Sequence, residues 1–176
     1  MINLITSALK AAIDTFVTAK YSAVADVTGA PVYILPDFDP TDKDGYKKLN
    51  KVTNYGFVIH AISGKPDETS PATFVKIRYA CSLTVLRKGT QLYDLTNRKD
   101  SVAQGYADPL VTSIFALATN LTKYIRTYPN GLLSESGSYQ AFFTDIKNVG
   151  ELKRTGDYSY VTLDVESLRM ETETIS

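Results

Sequence analysis

The stretch that most constrains the chain is TFVKIRYACSLTVLR, from Thr73 to Arg87. Val75, Ile77, Tyr79, Cys81, Leu83 and Val85 alternate there with Lys76, Arg78, Ser82 and Thr84. A period of two sends the apolar set to one face of a sheet and the polar set to the other. Unbroken, at ~3.3 Å per residue, the strand extends ~45 Å, well beyond the ~17–20 Å of an ordinary strand. A strand that outruns the core of its own domain needs cover at its far end. A second copy of the chain is the simplest cover, so the pattern points to assembly rather than catalysis.

The neighbouring segments indicate what this strand pairs with. Tyr55, Phe57, Ile59 and Ala61 alternate with Gly56, Val58, His60 and Ile62; two fairly apolar faces place that strand inside a sheet. Gly64, Lys65, Pro66, Asp67 and Ser70-Pro71 predict a turn joining the two strands as an antiparallel hairpin. Upstream, Ile2, Ile5, Leu9, Ile13 and Phe16 recur at helical spacing and predict an amphipathic helix from about Asn3 to Ala19. Thr28-Gly29-Ala30-Pro31 ends that pattern, and Val32 to Leu35 make a short strand that Pro36 stops.

A second helix is predicted to begin at Asp108-Pro109, with Asp as cap and Pro in the first position. Leu110, Ile114, Leu117, Leu121 and Ile125 line one face until Pro129-Asn130-Gly131 ends the run. Two closing strands follow, Tyr139 to Ile146 and Tyr158 to Glu166. In the last, Asp164 and Glu166 carry charge opposite to Lys76 and Arg78 of the long strand; adjacent strands would pair them at ~0.2–1 kcal/mol per pair. The element order lacks a regular βαβ alternation. It predicts one α+β domain over residues 1–176, a mainly antiparallel sheet with a long hairpin and two amphipathic helices packed on one face.

Lys plus Arg and Asp plus Glu both number 19, giving zero net charge and no electrostatic source for attraction to nucleic acid or an anionic membrane. The one cysteine cannot form an internal disulfide and suits a reducing interior. The first residues, MINLITSALKAAIDTF, lack a basic leader and are interrupted by Lys10 and Asp14, and no run nears the ~20 apolar residues that span a bilayer. The expectation is a soluble protein folded in the cytosol.

His60 is the only histidine, so a Ser-His-Asp or Cys-His site within one subunit has to include it. With Ile62 and Thr73 as the ends of a symmetric hairpin, His60 falls opposite Val75 and Cys81 lies ~20 Å away. They read as a hydrogen-bonded strand histidine and a small core residue. Asp37, Asp39, Asp42 and Asp44 before Gly45 resemble a calcium loop in composition. In the EF-hand register, however, Pro40 takes the first ligand position and Lys51 the place of the bidentate glutamate.

The Pro36 to Val52 segment therefore reads as a long polar loop that a partner or neighbouring subunit orders, with Asp37, Asp39, Asp42, Asp44, Lys47 and Lys48 facing that partner or a lumen. Ser63-Gly64-Lys65 is no phosphate loop, since Ile59 stands at the first glycine and Pro66 follows the lysine. Tyr55, Tyr79, Tyr124 and Tyr128 fall on apolar faces and read as core or subunit contacts rather than a base-stacking platform. No catalytic, cofactor or metal site is assigned.

The N-terminal amphipathic helix, the hairpin ending in RYACSLTVLRKG, the helix around ADPLVTSIFALATNL and the closing strand YSYVTLDVESL together resemble the tail terminator, or tail-completion, proteins of long-tailed bacteriophages. The resemblance rests on element order over nearly the whole chain. It implies a virion protein of the tail-neck region, without catalytic residues or cofactors, whose subunits form a homo-oligomeric ring, usually a hexamer. Its implied partners are the tail tube protein, whose polymerisation the ring stops, and the head-tail connector or neck proteins; DNA passes through the lumen without specific binding. Ring contacts are expected from the overhanging end of the long strand and a neighbour's closing strand, through Lys76 and Arg78 against Asp164 and Glu166. Two alternatives stay open: another neck component, such as a head-completion or adaptor protein, and a small α+β enzyme or ligand-binding domain.

Overall fold

The computed structural model describes residues 2–24, 26–66, 75–88, 114–127 and 139–171. Helix α1 (Ile2–Tyr21) leads to β1 (Val32–Ile34), a 3-10 helix (Lys43–Lys48), β2 (Tyr55–Pro66) and β3 (Val75–Lys88). Helix α2 (Ile114–Thr127), β4 (Tyr139–Val149), β5 (Lys153–Thr155) and β6 (Tyr158–Glu171) follow. The fold is α+β, as expected, with the sheet antiparallel except where β1 joins β2. The strand order is β1-β2-β3-β6-β4, and β5 pairs with β6 beside the main path. The expected second-helix start at Asp108-Pro109, its stop at Pro129-Asn130-Gly131, the hairpin tip at 67–72 and the first residues of the long strand, 73–74, lie outside the described residues.

Both helices pack on one face of the sheet, and the residues that do so are those at helical spacing. Leu9, Ile13 and Phe16 of α1 and Ile114, Leu117, Leu121 and Ile125 of α2 form one buried cluster. The same cluster holds Phe57 and Ile59 of β2, Cys81, Leu83 and Val85 of β3, and Val161, Leu163 and Val165 of β6. The exit of α1 is tied down by Thr28, whose hydroxyl lies 2.7 Å from the Tyr21 carbonyl and 2.9 Å from that of Val24. Carbonyls left over at a helix end are thereby satisfied.

The opposite face of the sheet is also covered, which the sequence reading did not anticipate. Phe38, Tyr46, Leu49 and Val52 from the 36–52 segment are buried against Val58, Leu86 and Tyr160 as a second apolar cluster. A segment expected to be a solvated loop is thus a second layer. Its polar residues build its own turns: Asp39 accepts from the Thr41 amide at 2.8 Å and Asp42 caps the 3-10 helix through the Asp44 amide at 2.9 Å. The Tyr46 and Thr155 hydroxyls both donate to the Pro40 carbonyl, at 2.9 and 2.8 Å, and the Lys51 amide donates to the Tyr33 hydroxyl at 2.9 Å. Four apolar side chains among many polar ones are enough to anchor the segment, because the remainder satisfies its backbone locally.

The β2–β3 register differs from the symmetric hairpin. His60 pairs with Ser82 rather than Val75, and one extra residue is inserted on β2 between His60 and Ser63. Ala61 takes that bulge with a φ of 49°, a left-handed conformation uncommon outside glycine. The bulge shifts the alternation by one, so Ile62, not Ala61, packs against the helix-side cluster. Two residues on, a Cβ on Gly64 would lie 2.9 Å from the Tyr79 ring, so the ring covers the glycine across the strand pair.

Leu83 is fully buried at the centre of the helix-side cluster. Leu83→Ala is expected to lower stability by about 2–5 kcal/mol, the cost of a core cavity. Urea denaturation midpoints of the two proteins check it; a loss below about 1 kcal/mol would place Leu83 outside a packed core.

Candidate functional site

Arg78, Asp164 and Glu166 stand on the second face of the sheet, the one that Thr84, Leu86, Tyr160 and Thr162 share. Arg78 and Glu166 meet there as a part-buried ion pair within one subunit. They are diagonal neighbours, since Ala80 stands opposite Glu166 and Leu168 opposite Arg78. Asp164 instead accepts from the Asn148 side-chain amide of β4 at 3.1 Å. Lys76 lies opposite Met170 at the far end of the β3–β6 ladder. Of the four charges expected to match between the two strands, Arg78 and Glu166 pair inside the chain.

The far end of β3 is also covered from within. β6 accompanies β3 from Val75↔Glu171 to Lys88↔Tyr158, and β2 flanks its other edge as far as Pro66↔Ile77. The overhang that suggested a neighbour's strand is therefore filled by this chain's own β6. The sequence understated β6, placing its end at Glu166 where the ladder runs on to Glu171.

His60 lies at the seam between the sheet and the 36–52 layer and is buried. Its Nε2 is 2.7 Å from the Thr84 hydroxyl, which in turn is 3.0 Å from the Thr162 hydroxyl. This polar row runs across three strands. The Phe38 ring meets the imidazole edge-on, with centroids 5.4 Å apart. Burial holds the imidazole pKa below the usual histidine range, against the weaker opposing pull of the Asp39 and Asp164 carboxylates.

Cys81 is close to this histidine in register but lies on the other face, inside the helix-side cluster. Burial pushes its thiol up to about 12, which removes thiolate character at neutral pH. Sequence reasoning separated the two residues by distance; the sheet itself separates them.

The acidic segment has a comparable outcome. Asp37, Asp39, Asp42 and Asp44 are all exposed. Asp39 is held below the usual carboxylate range by hydrogen bonds from Thr41, and Asp44 is lowered by Lys47, 2.6 Å away. Lys48 is exposed beside them. No group of three or more histidine, cysteine or carboxylate side chains with metal-binding geometry occurs among the described residues. None of the described helices is long and apolar enough to cross a membrane.

A feature that sequence reasoning missed is a cavity of about 610 Å³ between the 3-10 helix and the β5–β6 turn. The parallel rings of Tyr46 and Tyr158 contribute to its lining. The signal was weak, because β5 is a three-residue strand that no periodicity reveals.

No protein-family model and no curated protein matches the chain. Solved structures do match it. One is a chain of the "Virion of native gene transfer agent (GTA) particle", with a TM-score of 0.50 over 92% of this chain and 92% of that chain, at 14% identity. The likeness is one of fold.

Protonating His60 in place is disfavoured by its burial, whereas in the unfolded chain it takes up a proton at its ordinary pKa. A folded-state pKa below the unfolded value means that stability falls as pH drops through about 6.5, by at most about 1.4 kcal/mol per pH unit, until the folded-state pKa is reached. Chemical denaturation of the wild type and His60→Gln between pH 7.5 and 5.0 checks this. The variant should lose stability less steeply over that window; parallel curves would contradict it.

Proposed function

We propose that the chain is a structural protein of a phage-like virion, and within it the subunit of a ring that ends the tail tube and offers the head-joining surface. The fold shared with a chain of a gene transfer agent virion particle over 92% of both chains is the observation that carries this reading. The element order that resembles tail terminators supports its finer part. A ring needs a heterologous contact, in which one patch of each subunit meets a different patch of the next, and closure depends only on the rotation between them.

In this reading the far end of the β2–β3 hairpin still meets a neighbour, with Arg78 and Glu166 entering as an ion pair already formed inside the subunit. Such a pair fixes orientation more than it adds affinity. The exposed carboxylates of the 36–52 layer, Asp37, Asp39 and Asp42, face the lumen or a neck partner, where like charge keeps DNA from adhering. Neither His60, bonded into a threonine row, nor Cys81, buried as a thiol, is asked to do chemistry.

Deletion of the gene in a particle-producing strain, followed by electron microscopy, tests the reading. The expected result is tubes of uncontrolled length that are not joined to heads, with normal particles restored by the wild-type gene. Antibody labelling of those restored particles should mark the head-proximal end of the tail. Normal-length tails attached to heads in the deletion strain would overturn the terminator assignment.

A further inference from the structure

We infer that the cavity between the 3-10 helix and the β5–β6 turn docks an acidic peptide segment of another virion protein. The proposal rests on the virion reading for where its partner is found. The cavity holds about 610 Å³, and aromatic and aliphatic groups line it: the Tyr46 and Tyr158 rings stack with centroids 4.4 Å apart at 27°, beside Leu49. The Tyr46 hydroxyl is already committed to the Pro40 carbonyl. Tyr46 and Leu49 are themselves nearly buried and form the floor, so the accessible ring surface comes from the half-buried Tyr158.

The cavity lining is cationic by comparison. Lys43 and Lys88 are exposed on it, and neither takes part in an ion pair among the described residues. The Lys43 stem lies across the β5–β6 turn, with its methylenes 3.7 Å from where a Cβ on Gly156 would stand. Of the two lining carboxylates, Asp44 is paired with Lys47 at 2.6 Å and attracted more weakly by Lys43, leaving Asp157 as the other counter-charge to Lys43 and Lys88. Two exposed ammonium groups that outnumber the remaining lining carboxylate by one charge, beside the Tyr158 ring, suit a peptide that brings an apolar side chain next to a carboxylate, since charge-assisted hydrogen bonds fix such a segment in register. A nucleic acid suits it less, because a phosphate backbone needs a continuous cationic track and this lining has an excess of a single charge.

Zero-length carbodiimide crosslinking of intact particles, read by mass spectrometry, tests the proposal, because the reagent joins a lysine amine only to a carboxylate in direct contact. The expected result is amide links from Lys43 or Lys88 to aspartate or glutamate of another polypeptide. In the companion experiment the double variant Lys43→Glu, Lys88→Glu should enter particles about tenfold less than the wild type, consistent with loss of the charge-assisted contacts. Its thermal midpoint should stay near that of the wild type, because both side chains are exposed. Links from these lysines to this chain's own carboxylates alone, or wild-type incorporation of the folded variant, would overturn the docking site and leave the virion reading intact. Protection of both lysines only in DNA-filled particles would assign the site to nucleic acid and overturn it likewise. Absence of the wild-type chain from particles would overturn both readings.

Discussion

The structure depends on the double pairing of β3. A fourteen-residue strand exposes a long row of amides and carbonyls on each edge, and every one of those groups left dry and unpaired would cost free energy comparable to a lost hydrogen bond. Two strands, one adjacent in sequence and one remote, meet that demand. β2 takes one edge from the near side of the chain, and β6 takes the other from its C-terminal end. With β3 paired on both sides, β4 can be added to the outside of β6, and the sheet becomes wide enough to carry two helices on one face.

A sheet this long is difficult to leave half wet. The helix side receives the odd-numbered apolar residues of β3 and β6. On the other side Val58, Leu86 and Tyr160 would be left exposed without the 36–52 layer, which buries them with four of its own side chains. Thr84 and His60, polar groups in the midst of that second face, are fully or almost fully buried and survive there because each finds a hydrogen-bond partner. The outer edge is guarded as well: Arg126 of α2 donates to the Ile146 carbonyl of β4 at 2.5 Å, placing a charged side chain where a stray strand would otherwise begin to pair.

Periodicity made the helices and the long strands legible. Leu9, Ile13 and Phe16, or Val161, Leu163 and Val165, repeat at spacings that only one element type satisfies, and each set lies in the core where its face pointed. Register was not legible, because the pairing runs on to Pro66 and Ile77 instead of ending at Ile62 and Thr73, and one residue inserted at Ala61 adds a further shift that leaves no compositional trace. The second layer was hidden for a different reason. Tyr46, Leu49 and Val52 recur every third residue, but the run is short, Phe38 stands apart from it, and their neighbours have the composition of a solvated loop, so the burial emerges only from the tertiary partner. Of the charges on β3 and β6, Arg78 and Glu166 meet within the chain as diagonal neighbours on paired strands.

The central claim is that both faces of the sheet are covered within a single chain, with the 36–52 segment a folded layer and not a loop awaiting a partner. Amide hydrogen exchange on the isolated protein tests it most directly. The account predicts strong protection of Leu83 to Val85 in β3, and protection of Leu49 and Val52, whose amides donate to the Tyr46 and Leu49 carbonyls at 3.0 and 3.2 Å, well above that of an unstructured peptide. Exchange of residues 36–52 at unstructured rates in the isolated chain, with protection appearing only on assembly, would contradict it.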